Sequence, residues 1–388
     1  MTTWLLPEYI EDILPIEAQR IEHLRRSLLD TFVLHGYELV QPPILEYIDS
    51  LLTGTGRDMD LRIFKLVDQL NGRMMGLRAD ITPQVARIDA HLLNQNAVTR
   101  LCYCGNILHT LPADITATRE PLQIGAEIYG HGGIESDKEI QQLVVKSLQI
   151  AGIVNPQIDM GHVAVFRTLS QRAGIGSELE SDLFAALQAK DIAVLRGMTS
   201  QMDKVIGKAL LLLPELYGDI EILKKAEQLL PDFPEIKKAI LDLRNLADAC
   251  SIPVTFDLAD LRGYHYHTGV VFAVYAPSVP NAIVLGGRYD EVGKAFGHAR
   301  PATGFSMDLR EIAKLAQLAF KRNAIIAPYK NDPSLQMKMD DLRSQGHVVI
   351  QQLPGQEQTS ISFEYNKKLI LRSGKWEVVD ISVLSPEF

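Results

Sequence analysis

The chain has 388 residues, 46% hydrophobic and 22% charged, which suffices for two or three ordinary domains with a normal buried core. Its net charge of −9 argues against a broad nucleic-acid surface, because phosphate contacts need clustered Lys and Arg, although a local basic patch still fits within that total. No apolar run is long enough to span a bilayer, and the start "MTTWLLPEYIEDILP" lacks the basic opening and long apolar stretch of a signal peptide, so a cytoplasmic location is expected.

The first predicted element is a helix: Ile21, Leu24, Leu28 and Phe32 recur at helical spacing, and Gly36 supplies a stop. "YELVQPPILEY" then reads as a strand interrupted by Pro42 and Pro43. Paired prolines remove ladder donors, which places this strand at an edge or an interface. "RIFKLVDQLNGRMMGLRAD" predicts two strands joined in a two-residue turn at Asn71-Gly72. "ITPQVARIDAHLLNQ" predicts a helix with Thr82 as N-cap and Pro83 at its first position. "TRLCYCGNIL" and "PLQIGAEIYG" predict an antiparallel strand pair with a long loop between them, followed by a helix from about Ser136 to Ala151. From about Val165 to Cys250 the pattern is amphipathic helix without convincing strands, as in a helical insertion. Strands resume in "VTFDLADL", "GVVFAVYA" and "NAIVLGGRYDEV". A helix over "SMDLREIAKLAQLAF", with Met307, Leu309, Ile312, Leu315 and Leu318 apolar, closes this part. The last stretch holds a βαβ-like piece and a final strand pair.

Strands, helices and strands again give an α+β pattern with an antiparallel sheet flanked by helices, not the strict alternation of a doubly wound fold. The expected divisions are a core of 1–164 and 251–320, a helical insertion of 165–250, and a small α/β part of 321–388.

Several polar residues stand where apolar strand would ordinarily continue. Gln123 and Glu127 are four apart, hence on one face of a strand, and Asp80 and Thr82 lie at a strand-to-helix junction. Arg262 supplies a cation, and Tyr266, His267 and Tyr289 add hydrogen-bonding rings. Two carboxylates, an amide, an arginine and aromatic hydroxyls suit a free amino acid, whose ammonium, carboxylate and basic side chain each need an opposite partner. On spacing alone, separate polar residues on a solvated sheet face fit slightly better. "LGGRYDEVGKAFG" matches neither phosphate-loop nor dinucleotide patterns. Cys102, Cys104 and Cys250 lack zinc spacing and read as free thiols, and the His265–His267 pair reads as packed or hydrogen-bonded rings; no metal or cofactor is expected.

Taken together and in order, these segments resemble histidyl-tRNA synthetase, a class II aminoacyl-tRNA synthetase, over about Pro7 to Ala319. "GYELVQPPILEY" is similar to motif 1, the dimer strand, and "YCGNILHTLPADITATREPLQIGAEIYG" to motif 2. "GGRYDEV" with "PATGFSMDLREI" is similar to motif 3, and "LRGYHYHTGVVF" to the histidine-recognition segment. The resemblance implies that Asp80, Thr82 and Gln123 hold a histidine ammonium and that Glu127 faces the imidazole. It places Arg262, Tyr266, His267 and Tyr289 at the recognition-segment and motif 3 positions, with His265 standing in for an aspartate.

On the ATP side the resemblance fails. Where motif 2 carries Phe-Arg-x-Glu, this chain has Leu108, His109, Thr110 and Leu111. Where motif 3 ends Gly-Leu-Glu-Arg, it has Asp308, Leu309, Arg310 and Glu311. Losing one preorganised donor to developing charge costs about 10²–10³ in rate. With two arginines gone and one replaced by a carboxylate, no adenylation is expected.

A synthetase relative that keeps a histidine pocket and loses ATP chemistry resembles the regulatory subunits of ATP phosphoribosyltransferase. That resemblance implies a non-catalytic chain partnering a short catalytic subunit in the first step of histidine biosynthesis. It further implies L-histidine as feedback effector, an assembly of four regulatory and four catalytic chains, a homodimer through the motif 1 region, and no tRNA or membrane partner. The alternatives are an active histidyl-tRNA synthetase, contradicted by His109 and Glu311, a stand-alone histidine-binding module, and, more weakly, a sensor of uncharged tRNA.

Overall fold

The computed structural model describes residues 4–54, 57–264, 266–277, 279–316, 322–355 and 363–381. The chain divides into two compact units, one of residues 1–12 and 21–317, the other of residues 13–20 and 318–388. The expected helical insertion belongs to the first.

The strands of the first unit are, in chain order, β1 (Glu38–Leu39), β2 (Leu45–Tyr47), β3 (Phe64–Val67), β4 (Met74–Leu77), β5 (Thr99–Asn106), β6 (Leu122–Tyr129), β7 (Gln157–His162), β8 (Tyr217–Gly218), β9 (Val254–Asp257), β10 (Val270–Tyr275), β11 (Val284–Arg288) and β12 (Ala302–Asp308). Nine of them make one sheet in the order β1-β5-β6-β12-β11-β10-β7-β9-β8, while β2, β4 and β3 form a separate small sheet. The pairings from β5 through β7 are all antiparallel. The β1–β5 and β7–β9 pairings are parallel and lie toward the edges, so the expected antiparallel sheet is mixed at its margins. The interrupted strand around Pro42 and Pro43 splits into β1, at the edge of the large sheet, and β2, at the edge of the small one. Both prolines lie between these two strands, where their missing N–H costs no ladder bond.

The first helix, Pro15–Leu34, buries Ile21, Leu24, Leu28 and Phe32, and Phe32 meets Phe305 edge-on with ring centroids 5.9 Å apart. Gly36 follows with φ +86°, the left-handed turn that stops the helix. The helix Ile134–Ile150 lays Ile140, Leu143, Val144 and Leu148 against β6, β11 and β12. Six α-helices run from Val163–Ala173 to Pro234–Ala249, two of them capped by Asp191 and Asp203 side chains that accept from first-turn amides. A 3-10 turn, Leu213–Glu215, and the two-residue β8 interrupt this stretch. The second unit has β13 (Arg322–Ala327), the helix Pro333–Ser344, β14 (Val348–Gln351), β15 (Phe363–Arg372) and β16 (Lys375–Asp380), with sheet order β14-β13-β15-β16. Its core joins Leu335, Met339, Leu342, Leu369 and Trp376. No helix of the described residues is long and apolar enough to cross a membrane.

Four local expectations need correction. The β3–β4 hairpin forms, but Val67 pairs with Met74, so the connection is a six-residue loop rather than a two-residue turn; the Asp68 carbonyl accepts from Gly72, which sits at φ +74°. Thr82 is not an N-cap: the helix Thr82–Arg87 is capped at Ile81 without a side-chain bond, and the Thr82 hydroxyl bonds to a tyrosine instead. That helix then loosens into a π-helical segment, Ile88–Leu93, ended by Asn94 in the left-handed region. Met307 lies on β12, not on the following helix, which runs Leu309–Leu315; Leu318 lies outside the described residues. Neither β7 nor β12 shows a pattern in the sequence that separates it from the helix that follows directly.

Candidate functional site

The site is built on the middle of the large sheet. Strand alternation puts Gln123, Gly125 and Glu127 of β6 on one face. Across from Gly125 on β5 stands Tyr103, and across from Glu127 on β12 stands Gly304. Both glycines leave necessary space. A Cβ at Gly125 would lie 2.5 Å from the Tyr103 hydroxyl, and one at Gly304 would overlap the Glu127 carboxylate.

A continuous hydrogen-bond chain connects these groups. The Asp80 carboxylate accepts from the Thr82 amide at 3.0 Å and from Gln123 Nε2 at 2.8 Å, while Gln123 Oε1 accepts from the Ile81 amide at 2.8 Å. The Thr82 and Tyr103 hydroxyls are 2.9 Å apart, and Tyr103 donates to Glu127 Oε1 at 3.0 Å. The Tyr289 hydroxyl donates to Glu127 Oε2. Tyr289 reaches this point from the end of β11, where the Arg288 guanidinium is anchored on Asp137 at 2.7 Å and the Tyr289 amide bonds to the Ala302 carbonyl. Tyr266 stacks obliquely on Tyr289, ring centroids 4.9 Å apart, and His267 packs edge-on against both.

Glu127 is 1% exposed and faces tyrosines, not a cation. Burial pushes its carboxyl well above the ordinary range; the Tyr103 hydroxyl opposes this and the Asp80 charge adds to it. Burial, reinforced by the Glu127 charge, likewise pushes the Tyr103, Tyr129 and Tyr266 phenols up. The Tyr129 and Tyr266 hydroxyls are buried without a hydrogen-bond partner. Buried polar groups are ordinarily satisfied, so two unpartnered hydroxyls beside an uncompensated carboxyl mark a place for a polar ligand.

Asp80, Thr82, Gln123, Glu127, Tyr266, His267 and Tyr289 are therefore gathered in one place. Arg262 is not bonded to this cluster: its guanidinium is held by Asp260 and by the Tyr275 hydroxyl at 2.7 Å, with Asp159 at 3.8 Å. Those acids lie on the β7–β9 side of the sheet, and they supply the counter-charge that the ligand was expected to supply. His265 lies outside the described residues. The His267 Nδ1 donates to the Arg288 carbonyl at 3.2 Å, and burial lowers its pKa to about 4, so the ring is neutral at physiological pH. Sequence reasoning missed Tyr103 and Tyr129. The available signal was Gln-x-Gly-x-Glu on β6, since a glycine between two inward polar residues leaves room for a large ring from the next strand.

Most of the residues at the positions that the resemblance assigns to the nucleotide make contacts within the chain. The His109 ring donates through Nε2 to the Ala79 carbonyl at 3.0 Å, and burial keeps its pKa below the usual value. Leu111 points to solvent. Asp308 caps the helix Leu309–Leu315, accepting from the Arg310 and Leu122 amides at 3.0 and 3.1 Å, and burial pushes its pKa up to about 6. Arg310 is 2% exposed and donates to the Glu120 carbonyl and to Glu11, whereas Glu311 pairs with Lys314 near the surface. Arg119 lies over the Phe64 ring and donates to the His109 and Glu8 carbonyls. Arg78 is turned inward to the Pro42 and Asn106 carbonyls.

Comparison with known proteins adds the family. Residues 9–312 match the family model described as histidyl-tRNA synthetase, and residues 322–379 match the ATP phosphoribosyltransferase subunit HisZ C-terminal domain. An ATP phosphoribosyltransferase regulatory subunit of Nitrosospira multiformis is 57% identical over 98% of this chain and 99% of its own length. One from Nitrosomonas eutropha is 54% identical over 98% and 100%. The chain belongs to the ATP phosphoribosyltransferase regulatory subunit family. Its role is thus regulatory rather than catalytic, on a class II synthetase-type core. The fold is similar to that of a solved ATP phosphoribosyltransferase regulatory subunit/histidyl-tRNA synthetase from Bacillus halodurans C, with TM-score 0.81, 24% identity, and 94% of this chain and 98% of that one covered. It is also similar to a histidine–tRNA ligase subunit from Alicyclobacillus acidocaldarius, with TM-score 0.67, 27% identity, and 81% and 98% covered.

Proposed function

We propose that this regulatory subunit senses L-histidine in the Glu127 pocket and transmits its occupancy to a separate short-form catalytic subunit. The observation that carries the reading is the buried Glu127 carboxyl held by neutral hydroxyls, Tyr103 and Tyr289 among them, beside the unpartnered Tyr129 and Tyr266 hydroxyls. In this reading Asp80 and Thr82 receive the ligand's ammonium, with Gln123 holding Asp80 in place, and Glu127 receives the imidazole. Arg262 joins the ligand only by leaving Asp260. A pocket without chemistry can shift a partner only through differential affinity for two of its states.

Four regulatory with four catalytic chains, a homodimer through the motif 1 region around β1, a cytoplasmic location, and the three-part division at 165–250 and 321–388 belong to the same reading. The rearranged nucleotide side, with His109, Asp308 and Glu311 committed to internal contacts, favours a sensor over an active synthetase.

The experiment is titration calorimetry of the full chain with L-histidine, followed by ATP in the same cell. Histidine heat without ATP heat is the expected result. Binding of both, with histidine-dependent pyrophosphate exchange, identifies a synthetase instead. Absence of histidine heat from both the free chain and the reconstituted complex overturns the sensor reading.

A further inference from the structure

A polar cavity lies away from the Glu127 cluster, where the helix Ile134–Ile150 meets the chain after the helix Pro234–Ala249 and the turn after the first helix. It has a volume of about 250 Å3. Its lining includes Gln141, Gln142, Lys146, Gln149, His35 and Cys250. Gln141, Val145 and Gln149 are spaced by four on one helix and so present one continuous wall.

Gln141 is the decisive residue. It is 2% exposed and lines the cavity, and while its NH2 end lies within reach of the Cys250 thiol, its carbonyl end has no hydrogen-bond partner. The contrast with Gln123 is informative: there, both ends of a buried amide are bonded, one to Asp80 and one to the Ile81 amide. A buried amide carbonyl with no donor is complete only when something in the cavity supplies one. The rest of the lining indicates the charge of that something. Lys146 is exposed at the rim, and His35, whose Nδ1 is engaged by the Thr31 carbonyl, has its other ring nitrogen available. Among the described residues, no carboxylate lines the cavity.

We propose that this cavity is a second ligand site for a small organic anion. Its phosphate or carboxylate group sits near Lys146 and His35, and its hydrogen-bonding end pairs with the Gln141 amide. The site is independent of the Glu127 pocket, which carries two acids and suits a cationic ligand group. A ligand with a free ammonium is disfavoured here because nothing in the lining would neutralise it.

Cys250 is half-buried in the lining and serves as a built-in reporter. The full chain is alkylated with iodoacetamide at one alkaline pH, and the rate at Cys250 is followed by peptide mass spectrometry. The probes are inorganic phosphate and acetate, against chloride at matched ionic strength. An occupied site slows Cys250 about tenfold at a probe concentration about ten times its dissociation constant, with Cys104 as the unaffected control. Protection by phosphate alone indicates a phosphate ester, and protection by acetate alone indicates a carboxylate. Equal rates at Cys250 under all three salts overturn the proposal. Gln141→Leu keeps the volume and removes the polarity, and Lys146→Met alters only an exposed rim residue. Both variants are expected to lose protection, and protection that persists in Lys146→Met overturns the assignment even if Gln141→Leu fails to fold.

Discussion

At the scale of single residues, the Glu127 carboxyl governs the site. Burial keeps it neutral at pH values where an ordinary glutamate is ionised. A cationic ligand group beside it favours the ionised form, so histidine binding near neutral pH is expected to release a proton. Calorimetry in two buffers of different ionisation enthalpy reads this directly, and identical apparent enthalpies would show that Glu127 does not change its protonation state. Glu127→Gln keeps the shape and removes the charge; it should weaken histidine binding by about 1–3 kcal/mol, the range of a charge-assisted hydrogen bond. Asp308 offers a separate test. Its folded pKa of about 6 lies above the ordinary aspartate value, so its contribution to stability is full below about pH 4 and is lost as pH rises to about 6. Asp308→Asn retains a capping side chain but cannot ionise. The wild type should therefore lose about 2–3 kcal/mol relative to this variant across that window, at about 1.4 kcal/mol per pKa unit. Parallel pH–stability curves for the two proteins would remove Asp308 from the account.

At the scale of elements, the pocket depends on what β6 and β12 omit. Gly125 and Gly304 are the positions where a side chain would strike the Tyr103 hydroxyl and the Glu127 carboxylate. Gly304→Ala should push Glu127 aside, destabilise the chain by about 1–3 kcal/mol as overpacking does, and abolish histidine heat. Chemical denaturation and calorimetry on the same variant separate the two effects; full histidine binding with normal stability would mean that the strands part more easily than their pairing implies. The small β2-β4-β3 sheet illustrates the limits of local pattern. Asn71-Gly72 marks a turn correctly, yet the register pairs Val67 with Met74 because Asp68 and Arg73 close the loop through a backbone bond. The π-helical turn after Arg87 also has no sequence signal. It accompanies Asp89, 1% exposed, in an ion pair with the nearly buried Arg300 at 2.8 Å, a partner more than two hundred residues away.

At the scale of the whole molecule, the question is why a synthetase-type core can serve as a regulatory subunit. In the proposed reading the amino-acid side of the site is retained, while several groups at the nucleotide positions are tied into contacts within the chain: His109 holds the Ala79 carbonyl, Asp308 caps a helix and Glu311 pairs with Lys314. Because these changes are several and separately anchored, His109→Arg alone should not restore histidine-dependent pyrophosphate exchange. Detectable exchange from that single variant would show that the nucleotide side is more intact than its contacts indicate. Mixing this chain with a short-form catalytic subunit should give a histidine-sensitive complex whose mass, by light scattering, corresponds to four chains of each kind.

The sequence by itself determined the α+β class, the order of the motifs, the shared face of Gln123 and Glu127, and the loss of nucleotide chemistry. Each of these depends on residue identity and short-range periodicity, which the chain carries locally. Only the tertiary structure decided that Arg262 is held by Asp260 and Tyr275 instead of joining the cluster, and that Tyr103 links Thr82 to Glu127. It alone placed the unpartnered Tyr129 hydroxyl in the site and left the Gln141 amide facing a cavity. These outcomes depend on which strands become neighbours and which counter-charges lie within reach, and those distances are set by sheet order across separations of tens to hundreds of residues.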